Sequence, residues 1–319
     1  MSVPSASADA SAVAAPSGWQ LVWSDEFDGD RLDPTRWQPE LGSGFADPVT
    51  GDWVPGWGNN ELQTYTDDPA NLRVQGGCLH IRALAPRTAD GAYTSARIRT
   101  RRADGHVLFA QAYGRFECRA RMTAGQGLWP AFWMLPSEAH YGGWAASGEI
   151  DVLEVVGARP QEVLGSVHFG AAWPHRDHRT VVHRFADGDS AEHFHVYAVE
   201  WDPGVIRWYV DDVLYAEQRF WWSSSRRTSA GGLAPRDAAD LNPWPAPFDR
   251  PFHLLLNLAV GGGLPGPPDD STPFPAEFVV DYVRVYTRID GLPPLADRGT
   301  GEVVYATVDG RPETGAAAQ

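Results

Sequence analysis

Apolar residues recur at every second position along much of this chain, not at every third or fourth. The alternation is clear in residues 79–84 (LHIRAL), 115–122 (RFECRARM), 205–210 (VIRWYV) and 278–286 (FVVDYVRVY), all rich in β-branched or aromatic side chains. A period of two sends successive side chains to opposite faces, so each segment is predicted to be a strand with one face buried. Between them lie turn clusters such as Asp67-Asp68-Pro69, Gln75-Gly76-Gly77, Ala103-Asp104-Gly105 and Trp201-Asp202-Pro203-Gly204. The sequence offers no long amphipathic helix and no internal repeat. Many short strands joined by Gly/Pro turns predict an all-β sandwich or jelly roll.

Two stretches break the alternation and are expected to be long loops that wall a binding site. Residues 42–60 (GSGFADPVTGDWVPGWGNN) and 221–250 combine Gly, Pro and Ser with several tryptophans. At the ends, residues 1–17 are Ala/Ser-rich without the basic and apolar regions of a signal peptide, and are expected to be a flexible leader. Residues 289–319 drift into Gly, Pro, Ala and charge and are expected to be a C-terminal tail. The predicted folded unit is therefore 18–288.

Charge narrows the partners. The chain of 319 residues carries 41 acidic and 26 basic side chains, a formal net charge of −15, so its averaged field repels phosphate backbones and anionic headgroups. No apolar run approaches the ~20 residues that span a bilayer. Nucleic acid and membranes are not expected partners, and a soluble monomer is expected. Cys78 and Cys118 show no CxxC pattern, which leaves one disulfide and two thiols equally open. The 14 tryptophans outnumber the 13 phenylalanines, and a side chain so bulky is seldom buried whole, so some of these rings are expected to line a groove.

The segment that carries chemistry is 147–157, SGEIDVLEVVG. On a strand, Glu149 and Asp151 share one face and Ile150 and Val152 the other. Strict alternation would turn Glu154 into the core, where an unpaired carboxylate costs several kcal/mol. The apolar pair Val152-Leu153 instead predicts a β-bulge, whose extra residue returns Glu154 to the acidic face and Val155 to the core. Glu149 and Glu154 then stand about four strand steps apart, roughly 13 Å between Cα atoms. Two leaning glutamates can close that to the ~5–5.5 Å at which retaining glycosidases hold their carboxyls. Three like charges on one strand face must raise at least one pKa, as a general acid requires. Taken alone, the acids would equally suit a solvated face or a calcium cage. Nearby, residues 125–136 (GQGLWPAFWMLP) put Trp129, Ala131 and Trp133 on one strand face, with Pro130 marking an edge or an entry. Flat rings there suit the apolar faces of sugars, although either tryptophan alone would serve equally well in a core.

GEIDVLEVVG resembles the active-site strand of glycoside hydrolase family 16, in the bulged form of its laminarinase-like endo-β-1,3-glucanases. The likeness continues, in order, through WSDEFDG, GWGNNELQTYT, YTSARI, YGRFECRARM, GQGLWPAFWMLP, GSVHFG, FHVYAVEWDP and DYVRVY, covering roughly residues 19–286. It implies a β-jelly-roll of two stacked antiparallel sheets with a concave substrate cleft. It further implies Glu149 as nucleophile, Asp151 as its partner and Glu154 as acid/base, with β-glucan as substrate and no catalytic cofactor. Sugar contacts are implied for Asn59, Glu61, Arg97, Trp129, Trp133, His168 and Asn257. A structural calcium is implied at Glu26, the backbone carbonyl of Gly77 and Asp281, hard oxygen donors of the kind calcium takes; the alternative is that these acids make turn or cap hydrogen bonds. The resemblance also implies a secreted or periplasmic protein.

One departure bears on specificity. Where many laminarinase-like members carry Gly-Gly-Asn-Trp-Pro-Gly, this chain reads Gly261-Gly262-Gly263-Leu264-Pro265-Gly266, so a stacking ring is replaced by Leu264. Trp221, Trp222 and Trp244 are candidates to compensate. Rival readings are a non-catalytic β-glucan-binding protein, disfavoured by the presence of all three acids, and the same fold acting on an algal galactan.

Overall fold

Strands with one apolar face can bury it only against a second layer, and in the computed structural model the chain supplies both layers itself. The structure describes residues 15–47, 49–86, 92–228, 231–232, 235–300, 303–305 and 313–315. Most of the leader, residues 1–14, and parts of the tail therefore lie outside the described residues. In chain order the strands of the two main sheets begin with β1 (Trp19–Asp25), β2 (Gln38–Glu40), β3 (Leu72–Gln75), β4 (Cys78–Ala83), β5 (Arg97–Arg99) and β6 (Gly114–Met122). They continue with β7 (Leu128–Pro136), β8 (Glu149–Glu154), β9 (Glu162–Gly170), β10 (Arg176–Arg184), β11 (His195–Asp202) and β12 (Val205–Val210). The last are β13 (Val213–Gln218), β14 (Phe252–Val260), β15 (Ala276–Arg288), β16 (Val303–Tyr305) and β17 (Glu313–Gly315).

Among the described residues, one sheet has ten strands in the order β17-β16-β13-β12-β11-β6-β15-β4-β3, with β1 on β15, and the other has seven, β10-β9-β8-β7-β14-β5-β2. Both are antiparallel, the jelly-roll-like sandwich expected from the alternation. The inner faces interdigitate: Phe116 and Cys118 of β6 and Val283 and Val285 of β15 meet Phe132 and Met134 of β7 and Leu254, Leu256 and Leu258 of β14. Strand β14 is buried at all nine positions. Its even-numbered leucines enter the core, while Leu255, Asn257 and Ala259 underlie the outward face of the seven-stranded sheet, which carries the acids.

Three readings of the sequence can be followed into the structure. Pro130 does not mark an edge, because β7 runs between β8 and β14. The Pro130 carbonyl accepts from Val155 just past the end of β8, so the proline keeps its acceptor in the sheet interior and forgoes only its donor. Cys78 and Cys118 are free thiols, the second fully buried. Residues 289–300 show no strand pattern yet are fastened through the backbone: Ala296 N–H donates to Pro203, Gly299 N–H to Arg219, and the Trp244 indole N–H to the Ala296 carbonyl.

Candidate active site

The bulge predicted from Val152-Leu153 is present. Asp151 pairs with Ser166 and Glu154 with Leu164, so three steps on β8 oppose two on β9. Glu149, Asp151 and Glu154 consequently share the outward face, while Ile150, Val152, Leu153 and Val155 all join the core. Glu149 pairs with His168, four residues from Leu164 on the regular strand β9, which reproduces the four-step separation of roughly 13 Å between the glutamate backbones. The bulge turns the Asp151 carbonyl inward, where Trp208 of the opposite sheet donates its indole N–H at 2.9 Å. Trp208 reaches that far because residue 165 is glycine: a Cβ there would lie 2.3 Å from the indole ring.

The three carboxyls are held by a small set of donors. Glu149 Oε2 accepts the Trp144 indole N–H at 2.6 Å, and Glu154 Oε1 accepts that of Trp129 at 3.0 Å. Ser166 Oγ lies 3.4 Å from Glu154 Oε2 and 3.0 Å from Thr180 Oγ1. His168 Nε2 stands 3.3 Å from Asp151 Oδ2 and 3.8 Å from Glu149 Oε1, with its ring stacked on His178. Burial, and then the neighbouring Asp151 carboxylate, pushes Glu149 up to about 8. Asp151 is driven well above the usual carboxylate range by burial and by Glu154, against a hydrogen bond with Glu149. Glu154 is raised by burial and held down by His168, Trp129 and Ser166. Such a group cannot be wholly ionised at neutral pH, so it retains protons that can be moved between carboxyls.

A second network lies beside the acids on the same face. Arg97 of β5 is clamped between the rings of Trp57 and Trp133, 4.5 and 4.7 Å from their centroids, and is ion-paired to Glu40 of β2. Trp133 donates to Asn257 Oδ1 at 2.7 Å, Asn257 donates to the Tyr65 hydroxyl at 3.1 Å, and Tyr65 donates to Glu61 at 3.2 Å. Asn59 and Gln63 also donate to Glu61, at 3.1 and 2.6 Å. All ten catalytic and sugar-contact residues named from the sequence thus fall into these two adjoining groups. The sequence pattern does not mark Trp144, Ser166 or Tyr65; their roles depend on loop paths and cross-strand pairs that leave no local signature.

Other expectations fare differently. The 42–60 loop does border the site, through Trp57 and Asn59. From the segment 221–250, the Ser223 hydroxyl donates to the Ala146 carbonyl two residues from Trp144. Trp221, Trp222 and Trp244 do not replace the ring lost at Leu264. Trp221 is fully buried and stacked on Trp244, Trp222 packs edge-on against Phe169, and Leu264 itself is exposed. On the other sheet, Glu26 accepts two bonds from Arg284 and Asp281 accepts one from Arg119. Both carboxylates assigned to calcium by resemblance are thus ion-paired to guanidinium groups, the alternative of plain hydrogen-bonding roles being the arrangement seen here. The donor atoms of Glu149, Asp151 and His168 lie within 4.8 Å of one another and could also hold a metal ion, but an imidazole in the set does not suit calcium.

Two glutamates flanking a buried aspartate, on the open face of a jelly-roll-like sandwich and bordered by tryptophans, define a carboxylate-based glycoside hydrolase. The family model for glycosyl hydrolases family 16 matches residues 56–220, and the chain belongs to that family. It is 43% identical over 280 residues to a β-glucanase of Rhodothermus marinus, covering 85% of this chain and 86% of that one. It is 40% identical over 284 residues to glucan endo-1,3-β-glucosidase A1 of Niallia circulans, covering 85% of this chain but spanning only 38% of that protein's length. Among solved structures, the laminarinase catalytic domain of Thermotoga maritima superposes with a TM-score of 0.67 at 38% identity, covering 85% of this chain and 99% of that domain.

Proposed function

We propose that this chain is an endo-acting β-glucanase that hydrolyses β-1,3 or mixed-linkage β-1,3-1,4 glucan with retention of configuration. The observation that carries this reading is the placing of Glu149 and Glu154 on one face of a bulged strand, with Asp151 between them. In the first step Glu149 attacks the anomeric carbon while Glu154 protonates the departing glycosidic oxygen. Asp151, held above the usual carboxylate range by burial and by Glu154, stands beside Glu149 as a proton donor while Glu149 reacts in its ionised form. In the second step Glu154, now ionised, takes a proton from water as that water attacks the glycosyl-enzyme, and Glu149 leaves. No step needs a cofactor, and a structural calcium at Glu26, the Gly77 carbonyl and Asp281 would exchange the ion pairs with Arg284 and Arg119 for metal bonds without touching the chemistry. Binding of the sugar chain is assigned to Trp129, Trp133, Arg97, Asn257, Asn59 and Glu61, with His168 beside the reacting carboxyls. A polymeric substrate agrees with a monomer that works outside the cytoplasm, secreted or periplasmic.

The test is reducing-sugar release from laminarin, lichenan, agarose and carrageenan. Glu149→Ala and Glu154→Ala are each expected to lose ~10³-fold or more in turnover on the β-glucans, because groups acting as one unit fail together. Azide is expected to rescue Glu154→Ala, giving a β-glycosyl azide from a substrate with a good leaving group. Binding without cleavage would instead identify a glucan-binding protein, and cleavage of agarose or carrageenan alone a galactanase.

A further inference from the structure

On the ten-stranded sheet, away from the acids, His195 opens β11 almost fully buried, its ring packed 4.4 Å from that of Phe185. Its Nδ1 lies 2.7 Å from Asp211 Oδ2, and the other oxygen of Asp211 is taken by the Val196 N–H at 2.8 Å. Asp211 is thus placed to receive the ring proton and fix the tautomer, as carboxylates behind metal-bound histidines do. The Nε2 lone pair then faces two oxygens, Asp189 Oδ1 and the Ser190 carbonyl, both at 3.2 Å. Three electron-rich atoms cannot face one another without a cation among them. A second imidazole arrives at the same place, with His193 Nδ1 2.8 Å from the same Asp189 oxygen. The donor atoms of Asp189, His193 and His195 all lie within 4.8 Å of one another.

The geometry points to a divalent transition-metal site of the zinc class at Asp189, His193 and His195, with Asp211 as the orienting carboxylate. Two imidazoles and a carboxylate suit zinc and do not suit calcium or magnesium. Tetrahedral zinc with bonds of about 2.0–2.1 Å sets its ligand atoms roughly 3.3–3.4 Å apart, so Asp189 Oδ1, at 2.8 and 3.2 Å from the two ring nitrogens, has to draw back only slightly. Exposed His193 and half-exposed Asp189 provide the way in, and buried His195 provides the anchor. Such an ion would tie the turn before β11 to that strand, a structural role separate from the hydrolytic one.

The full chain, stripped with EDTA and dialysed, is titrated with Zn²⁺ alone, following heat of binding, Tm and activity. One equivalent with a rise in Tm is expected. His193→Gln and Asp189→Asn, both at accessible positions and so expected to fold, should each weaken binding at least tenfold and remove the rise in Tm, leaving metal-free hydrolysis unchanged. A Co²⁺-loaded sample should show the visible bands of a tetrahedral ion, lost in His193→Gln. Absence of binding would overturn the proposal and leave a proton on His195 as the cation. Binding that both variants leave intact would also overturn it, placing the ion at Glu149, Asp151 and His168, where it would inhibit hydrolysis.

Discussion

The carboxyls on β8 are distinguished by their donors, and the donors set the pH behaviour. The Trp129 N–H favours the ionised form of Glu154 and so lowers its pKa. Trp129→Phe keeps an aromatic ring and loses that donor, leaving Glu154 protonated to higher pH. The alkaline limb of the pH dependence of kcat/KM is therefore expected to move upward, and an unmoved or lowered limb would deny Glu154 the role of acid. The acids themselves were legible from SGEIDVLEVVG, because two adjacent apolar residues in an alternating strand bury the next acid unless the strand bulges. Trp144 was not, although its bond to Glu149 is the shorter of the two indole contacts. It lies five residues before the strand, and only the path of the intervening loop brings it back.

At the level of elements, β8 depends on the sheet behind it. Its bulge releases the Asp151 carbonyl, Trp208 of β12 satisfies it, and the lack of a side chain at Gly165 makes room for the ring. Trp208→Phe leaves that buried carbonyl without a partner, for which a cost of about 1–3 kcal/mol is expected. Turnover should fall with stability, because the bulge sets the facing of Asp151 and Glu154. Urea unfolding together with kcat measured well below Tm separates the two effects, and full stability with full activity would show that the bulge holds itself. The sequence marks β12 as a strand by VIRWYV, but nothing in it indicates that Trp208 reaches the other sheet. Pro130 was misleading for a related reason: proline excludes a strand from a sheet interior only where a neighbour needs its missing donor.

The molecule as a whole bears an electrostatic burden at its cleft. Glu149 is raised from 4.5 to about 8, so the folded state holds a proton that the unfolded chain has already shed across that window. Stability should therefore fall as pH rises through it, by an amount on the order of a few kcal/mol. Glu149→Gln removes the burden: its Tm should exceed that of the parent by several degrees at pH 9 and converge with it toward pH 4.5, and equal Tm values at pH 9 would contradict this. The two-layer architecture was legible because alternation needs a second layer, whereas the fastening of residues 289–300 was not, because backbone hydrogen bonds leave no side-chain pattern. The central claim is that Glu149 and Glu154 act together on one sugar by double displacement, and the stereochemistry of the product tests it most directly. Proton NMR of the first product released from a β-1,3-glucan oligosaccharide is expected to show the β anomer, with the α anomer appearing only by later mutarotation. The α anomer appearing first would mean a single inverting attack by water and would contradict the roles assigned to both glutamates.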